Sequence, residues 1–170
     1  AEAVTGDLVD IGPGRGGTSI LFRGYLEAYA IDVPRVWVVD RFRARPAPSD
    51  DPRATSVGRS GYKPVEAQSA WVVVGGPGLP ELLGDLNSVR EGFHSFDLLD
   101  DQVRFVAGDD LTALEAAPIE RIALLHLGER SALDVAAALD LLYDRLTLGA
   151  FIVVDDFDDP DRRAAVEAVR

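Results

Sequence analysis

The sequence predicts an α/β fold, with a doubly wound, mostly parallel sheet formed by a single domain over residues 1–170. Apolar runs of four to eight residues alternate with segments of helical period, a pattern typical of strands and helices layered in such a sheet. The 170 residues are 47% hydrophobic and 27% charged, which is enough for one packed core. A glycine cluster directly after the first apolar run indicates a tight turn from strand to helix.

The predicted elements follow the chain in alternating order. Five strands are predicted, over residues 7–11, 35–39, 103–106, 121–127 and 151–154. Helices are predicted over residues 18–30, 88–96 and 131–146, the second from a capping-box pattern at Ser88. A last helix begins at Pro160 behind the cap Asp159, since proline favours the first helical position.

One long stretch, residues 41–86, interrupts this order and is rich in proline and glycine. Connections of this length in compact domains are typically lids, binding loops or insertions. We therefore predict a variable lid or insert here. Residues 70–74 form an apolar run within it, which predicts either a short extra strand or an apolar flap.

Composition excludes several classes of function. The 29 acidic and 17 basic residues give a net charge of −12, which argues against a nucleic-acid partner because phosphate binding needs a positive surface. With no cysteine and two histidines, thiol catalysis is excluded and a histidine-rich zinc site is not expected. No apolar run suits a membrane span, so we expect a cytoplasmic protein without a membrane partner. Since the sequence opens without Met and stops inside an apparent helix, we also expect it to be part of a longer chain.

The strongest functional signal lies at the carboxyl ends of the first two strands, where α/β sheets bind ligands. Gly12, Gly14 and Gly17 match the G-x-G-x-x-G spacing of a nucleotide-binding turn, and Asp40 stands where an acid would hold a ribose. Asp10 precedes the glycines and favours S-adenosylmethionine over a dinucleotide, because a carboxylate attracts the cationic methionine end of the former and repels the pyrophosphate of the latter. A simple tight turn and a helix cap are the structural alternative.

Two further strand ends carry candidate residues. Asp109 and Asp110 follow the third strand and would lie near the adenine, or else cap the next helix. His126 lies near the end of the fourth strand, where it could act as a catalytic base, although a hydrogen-bonded core histidine is the alternative.

Several segments of this sequence resemble the macrocin O-methyltransferase family, a group of class I S-adenosylmethionine-dependent enzymes of natural-product biosynthesis. The resemblance is carried by GDLVDIGPGRGG at the glycine turn and by four other segments, over residues 35–42, 98–105, 117–121 and 153–157. It implies a Rossmann-like fold of the class I methyltransferase type, with the last two strands of that fold beyond Arg170. It also implies methylation of a sugar-like hydroxyl on a macrolide or polyketide, with S-adenosylmethionine and magnesium as cofactors.

The resemblance also assigns roles to residues. The cofactor-binding positions are Asp10, Gly12, Gly14, Arg15, Gly16, Gly17 and Asp40, although the family usually has Glu-Thr in place of Asp10-Ile11. The acidic pair that helps to hold magnesium corresponds to Asp155 and Asp156; a solvated helix start is the alternative for these two acids.

One metal ligand of the family is missing from this chain. Gly128 replaces the aspartate that supplies the third carboxylate, and the neighbouring Glu129 is the one acid that could substitute. Arg130 would place a positive charge beside the site and oppose a divalent cation. Magnesium binding is accordingly a weaker expectation than cofactor binding.

Three functions remain open on the sequence. The first is an O-methyltransferase acting on a small natural-product substrate. The second is a methyltransferase-like domain that has lost catalysis and serves as a structural or docking module within a larger biosynthetic chain. The expected macromolecular partners are other copies of this chain, in a homo-oligomer, or neighbouring domains of a larger chain. The third is a nicotinamide-binding domain, which has the same glycine spacing but leaves Asp10 unexplained.

Overall fold

The protein is described from a computed structural model, which covers residues 4–42, 71–74, 83–108, 111–128 and 134–169. Six strands form one sheet: β1 (Asp7–Ile11), β2 (Val36–Asp40), β3 (Trp71–Val74), β4 (Val103–Ala107), β5 (Ile122–Leu127) and β6 (Leu146–Val154). Their order across the sheet is β3-β4-β2-β1-β5-β6, and every neighbouring pair is parallel. The predicted parallel α/β fold is therefore confirmed. Trp71–Val74, the described part of the apolar run predicted at residues 70–74, is a strand of the sheet, whereas most of the lid or insert predicted over residues 41–86 lies outside the described residues.

The described residues include five α-helices: α1 (Gly17–Ala28), α2 (Leu83–Ser95), α3 (Leu111–Ala116), α4 (Val135–Leu142) and α5 (Pro160–Ala168), the last of which follows β6. The predicted start of α5 is confirmed, since the Asp159 carboxylate accepts hydrogen bonds from the N–H groups of Asp161 and Arg162. The capping-box prediction at Ser88 is wrong, because that residue lies inside α2.

The boundary predicted at residue 146 is also wrong. Helix α4 ends at Leu142, a single 3₁₀ turn covers Tyr143–Arg145, and β6 already begins at Leu146. Leu139, Leu142, Tyr143 and Leu146 keep helical spacing through the turn, so the periodicity of the sequence does not mark the end of the helix.

Helices cover both faces of the sheet, and the two-residue period of β2 shows how. Trp37 and Val39 pack into a cluster with α3, α4 and α5, whereas Val36 and Val38 pack into a second cluster with α1 and α2. Successive side chains of a strand point to opposite faces, so a continuous apolar run is required when both faces are buried. This arrangement makes the sheet doubly wound.

The topology also determines where a ligand can bind. From β1 the chain passes through α1 to β2 on one side, whereas the other side of β1 pairs with β5 much later in the chain. The crevice at such a reversal of strand order, beyond the carboxyl ends of the strands, is the usual ligand site in open α/β sheets. The carboxyl ends of β1 and β5 are therefore the first place to look for function.

Two leucines of opposite exposure test this description of the core. Leu139 of α4 is fully buried, whereas Leu148 of β6 is 98% exposed. We expect Leu139→Ala to lower the free energy of unfolding by about 2–5 kcal/mol through lost burial and a residual cavity. Leu148→Ala should change it by less than about 0.5 kcal/mol. Urea unfolding of both variants measures the difference, and equal losses would contradict this assignment of the core.

Candidate active site

The glycine turn between β1 and α1 has the backbone geometry that a ligand-binding loop requires. Gly12, Gly14 and Gly16 all have positive φ angles, of 74°, 60° and 83°, a region that residues with a Cβ rarely adopt. The turn closes with a hydrogen bond from the Gly16 N–H to the Pro13 carbonyl at 2.9 Å. Helix α1 begins directly afterwards, so its first N–H groups lie beside the turn and favour a polar or anionic group.

A cavity of about 340 Å³ opens between this turn and the ends of β5 and β6. Ligand cavities typically fall in the range of about 300–1,000 Å³, so its size suits a small molecule. Its lining among the described residues consists of Gly12, Pro13, Gly14, Arg15, Thr18, His126 and Asp155. Three elements thus contribute polar groups to one cavity, at the place where the topology predicts a ligand.

Below the cavity lies a buried polar cluster centred on Asp10. This carboxylate is fully buried, and it pairs with neighbours on both oxygens. The Ser19 hydroxyl donates to Oδ2, and His126 Nδ1 lies 2.7 Å from Oδ1. Asp10 and His126 are neighbours in register on the adjacent strands β1 and β5, which brings their side chains together. Asp10 therefore contacts His126, which lines the cavity. The predicted contact between Asp10 and a cofactor stays a prediction.

His126 connects this buried cluster to the cavity. Its second ring nitrogen, Nε2, lies 3.3 Å from Oδ1 of Asp155, a carboxylate at the end of β6 whose side chain is 49% exposed. The hydrogen bond to Asp10 raises the pKa of His126 above its ordinary value of 6.5, burial opposes the rise, and Asp155 adds to it. An imidazole held between two carboxylates favours its protonated form.

The remaining predicted residues take different positions. Gly17 is the first residue of α1, and Asp156 follows Asp155 with a positive φ of 51°. Asp40 ends β2, and its carboxylate accepts a hydrogen bond from the Phe42 N–H at 3.3 Å, so it caps its own turn. Asp40 is absent from the described lining of the cavity, and its role toward a ribose stays a prediction. Asp109 and Asp110 lie outside the described residues, as do Glu129 and Arg130.

The residues at the ends of β5 and β6 do not fit a magnesium site of the expected kind. A Cβ at Gly128 would lie 2.5 Å from the carbonyl oxygen of Gly12, so the glycine turn occupies the space of any side chain there. Asp155 is engaged by His126. Within the described part of the chain, no three histidine or acidic side chains form a group that could hold a metal ion. The metal role of Asp155 and Asp156 stays a prediction without geometric support.

Sequence reasoning missed three residues of this region. Thr18 lines the cavity and Ser19 binds Asp10; both follow the glycine turn directly, where the first helical turn faces the sheet end. Arg162 donates hydrogen bonds to main-chain carbonyls at the ends of β5 and β6. Its position in the first turn of α5 was an available signal, because the helix dipole disfavours a cation there.

A parallel, doubly wound sheet with a glycine turn over a polar cavity is the arrangement of a class I methyltransferase domain. A solved structure with this fold, the O-methyltransferase NovP, superposes with a TM-score of 0.67 at 31% identity, covering 98% of this chain and 64% of NovP. The calicheamicin methyltransferase CalS11 superposes with a TM-score of 0.62 at 20% identity and supports the fold alone.

The chain belongs to the macrocin O-methyltransferase (TylF) family, which it matches over residues 1–170. Mycinamicin III 3''-O-methyltransferase of Micromonospora griseorubida is 34% identical over 172 residues, which cover 99% of this chain and 62% of that relative. A tetracenomycin-type 4'-O-methyltransferase of Streptomyces olivaceus is 34% identical over 170 residues, covering all of this chain and 60% of that relative. The chain thus spans about three fifths of the length of these two relatives. No helix in the described ranges is both long and apolar enough to cross a membrane.

Two glycines of different surroundings test the contact between the turn and β5. Gly128→Ala should lower the free energy of unfolding by about 1–3 kcal/mol, because its Cβ would overlap the Gly12 carbonyl. Gly24→Ala in α1 meets only Leu98 at an ordinary 3.5 Å, and should raise stability by about 0.4–1 kcal/mol. Chemical unfolding measures both variants. An unchanged stability of Gly128→Ala would show that the glycine turn does not pack against Gly128.

The raised pKa of His126 predicts a pH-dependent stability. Protonated imidazole favours the folded state, so its contribution is complete below pH 6.5 and is lost as pH rises through the raised folded-state pKa. Urea unfolding across this range should show a smaller decline in His126→Gln, whose amide can still donate to Asp10, than in the unsubstituted protein. His94→Gln, which alters the exposed second histidine, should retain the full decline. Parallel pH curves for all three proteins would refute the assignment.

Proposed function

We propose that this chain is the cofactor-binding part of an S-adenosylmethionine-dependent O-methyltransferase that acts on a hydroxyl of a sugar-bearing natural product. One observation carries the proposal: the glycine turn and the His126 and Asp155 side chains line the same cavity. Family membership supports the reaction, and the names of the relatives, which specify 3''- and 4'-O-methylation, support a hydroxyl acceptor on a glycosylated antibiotic.

The described lining of the cavity carries charges of both signs, from Arg15 and from Asp155, which suits S-adenosylmethionine because its methionine end holds a carboxylate close to the cationic sulfonium. Asp155 places a carboxylate on the lining, and the positive-φ glycines allow the backbone to approach a ligand closely. A sulfonium is attracted by this carboxylate, whereas a pyrophosphate would be repelled by it. The proposed binding set is the turn from Gly12 to Gly17, with Asp40, Asp109 and Asp110 as the predicted contacts to the nucleoside. When bound, S-adenosylmethionine supplies an electrophilic methyl group to the acceptor oxygen.

Within this proposal, His126 in its neutral form, which is populated above its raised pKa, is the base that takes the proton of the acceptor hydroxyl. Asp10 holds Nδ1, which leaves Nε2 on the cavity side as the atom that exchanges a proton. A buried carboxylate in this position orients the ring and stabilises the imidazolium that results. Ser19 in turn holds the other oxygen of Asp10, so the orientation of His126 is determined by the sheet and by α1 together.

Calorimetric titration tests the proposed ligand directly. We expect S-adenosylmethionine and S-adenosylhomocysteine to bind, and NAD to bind much more weakly or not at all. Binding of NAD alone would favour a nicotinamide domain. If none of the three binds at millimolar concentration, the chain has kept the fold without its cofactor, as a docking module would.

Two glycines with the same backbone strain separate ligand binding from stability. Gly14 and Gly149 both have positive φ, of 60° and 86°, but only Gly14 lines the cavity. Alanine at either position should cost about 1–2 kcal/mol of stability through the left-handed backbone. Gly14→Ala should in addition weaken S-adenosylmethionine binding by about tenfold, because its methyl group enters the cavity. Equal affinities of the two variants in calorimetry would exclude this turn as the binding site.

A further inference from the structure

Arg162 occupies the junction between the ends of β5 and β6. Its Nη1 donates to the main-chain carbonyl of Asp155 at 3.0 Å and makes a longer contact of 3.5 Å with that of Leu127. Its Nη2 donates to the carbonyl of Gly128 at 3.1 Å. One half-buried guanidinium therefore contacts three carbonyl oxygens at the ends of two neighbouring strands.

The position of Arg162 in its own helix is electrostatically unfavourable. It lies in the first turn of α5, two residues after Pro160, where the helix dipole favours anions. The contacts with the strand ends compensate for this, since hydrogen bonds from a charged donor are about twice as strong as neutral ones. A guanidinium, with five N–H donors in a fixed plane, suits several carbonyls that converge at one point.

The same contacts extend to the glycine turn. Gly128 accepts from Arg162 through its carbonyl, while its N–H donates to the carbonyl of Ile11 at 2.8 Å. A Cβ at this position would overlap the carbonyl of Gly12, which leaves no space for a side chain. Arg162 thereby holds the main chain of Asp155, whose side chain lines the cavity, and the main chain of Gly128, which packs against the glycine turn.

We propose that Arg162 is a positioning residue that replaces, with a fixed organic cation, the divalent metal ion expected at the ends of β5 and β6. Two observations at Gly128 support this replacement. The residue has no carboxylate that could bind a metal ion, and its main-chain carbonyl accepts a hydrogen bond from the Arg162 guanidinium. A nearby positive charge also opposes the binding of a divalent ion. A test by S-adenosylmethionine affinity rests on the proposed function, whereas a test by metal binding does not.

Substitution tests the positioning role through cofactor affinity. Arg162→Gln should weaken S-adenosylmethionine binding about tenfold, because the carbonyls at the ends of β5 and β6 lose the charged donor that positions Asp155 and the glycine turn. Arg162→Lys should recover part of the loss, because it restores the charge without the planar fork. Arg163→Gln, which alters an exposed neighbour paired with Asp158, is the matched control and should bind as the unsubstituted protein does. A Lys variant no better than Gln, or a Gln variant with unchanged affinity, would overturn the proposal.

Metal binding tests the replacement independently of folding defects in the variants. Electron paramagnetic resonance with Mn²⁺, as a probe for the magnesium site, should show no site occupied at millimolar concentration in the unsubstituted protein. Binding that Asp155→Asn abolishes would overturn the proposal. If instead S-adenosylmethionine fails to bind the unsubstituted protein, the proposed function fails, and the Mn²⁺ result still decides whether a metal occupies this junction.

Discussion

The arrangement of the site depends on a carboxylate placed inside the sheet. Asp10 is fully buried on the central strand, where an unpaired charge would cost several kcal/mol. Ser19 and His126 offset that cost with one hydrogen bond to each oxygen. Removing either partner would leave one carboxylate oxygen of Asp10 buried without a hydrogen bond and without access to water. A substitution that removes any one of these three polar side chains therefore breaks a hydrogen bond of at least one of the others, although they lie on three different elements.

This coupling links the core to the ligand cavity. Because Asp10 determines where His126 Nδ1 lies, it also determines where Nε2 meets Asp155. The glycine turn follows Asp10 on the same strand, so its position relative to His126 changes little once β1 and β5 are paired. The position of the cavity is thus determined by the sheet, and its described lining combines the glycine turn with side chains from α1, β5 and the end of β6.

The sequence was sufficient for the fold because alternating apolar runs and glycine turns are local signals. Residues such as Trp37 and Val38 show that both faces of the sheet are buried, and the glycine spacing marks the turn. The site was only partly predictable, since its main contacts join residues far apart in sequence. Asp10 and His126 were both recognised, but their pairing requires the strand order, which no local pattern encodes. The position of Arg162 in the first turn of α5 was a local signal, but its partners are main-chain carbonyls that carry no residue identity, so its contacts could not be predicted.

The wide separation of Asp10 and His126 has a consequence for synthesis on the ribosome. The two residues lie 116 positions apart, and at about 5–20 residues per second the histidine is added roughly 6–23 seconds after the aspartate. During that interval β1 has no β5 to pair with, and an incomplete parallel sheet leaves apolar strand surface open to other nascent chains. Pairing of the central strand on both sides is consequently a late event of synthesis, because β5 must be made before β1 gains its second partner.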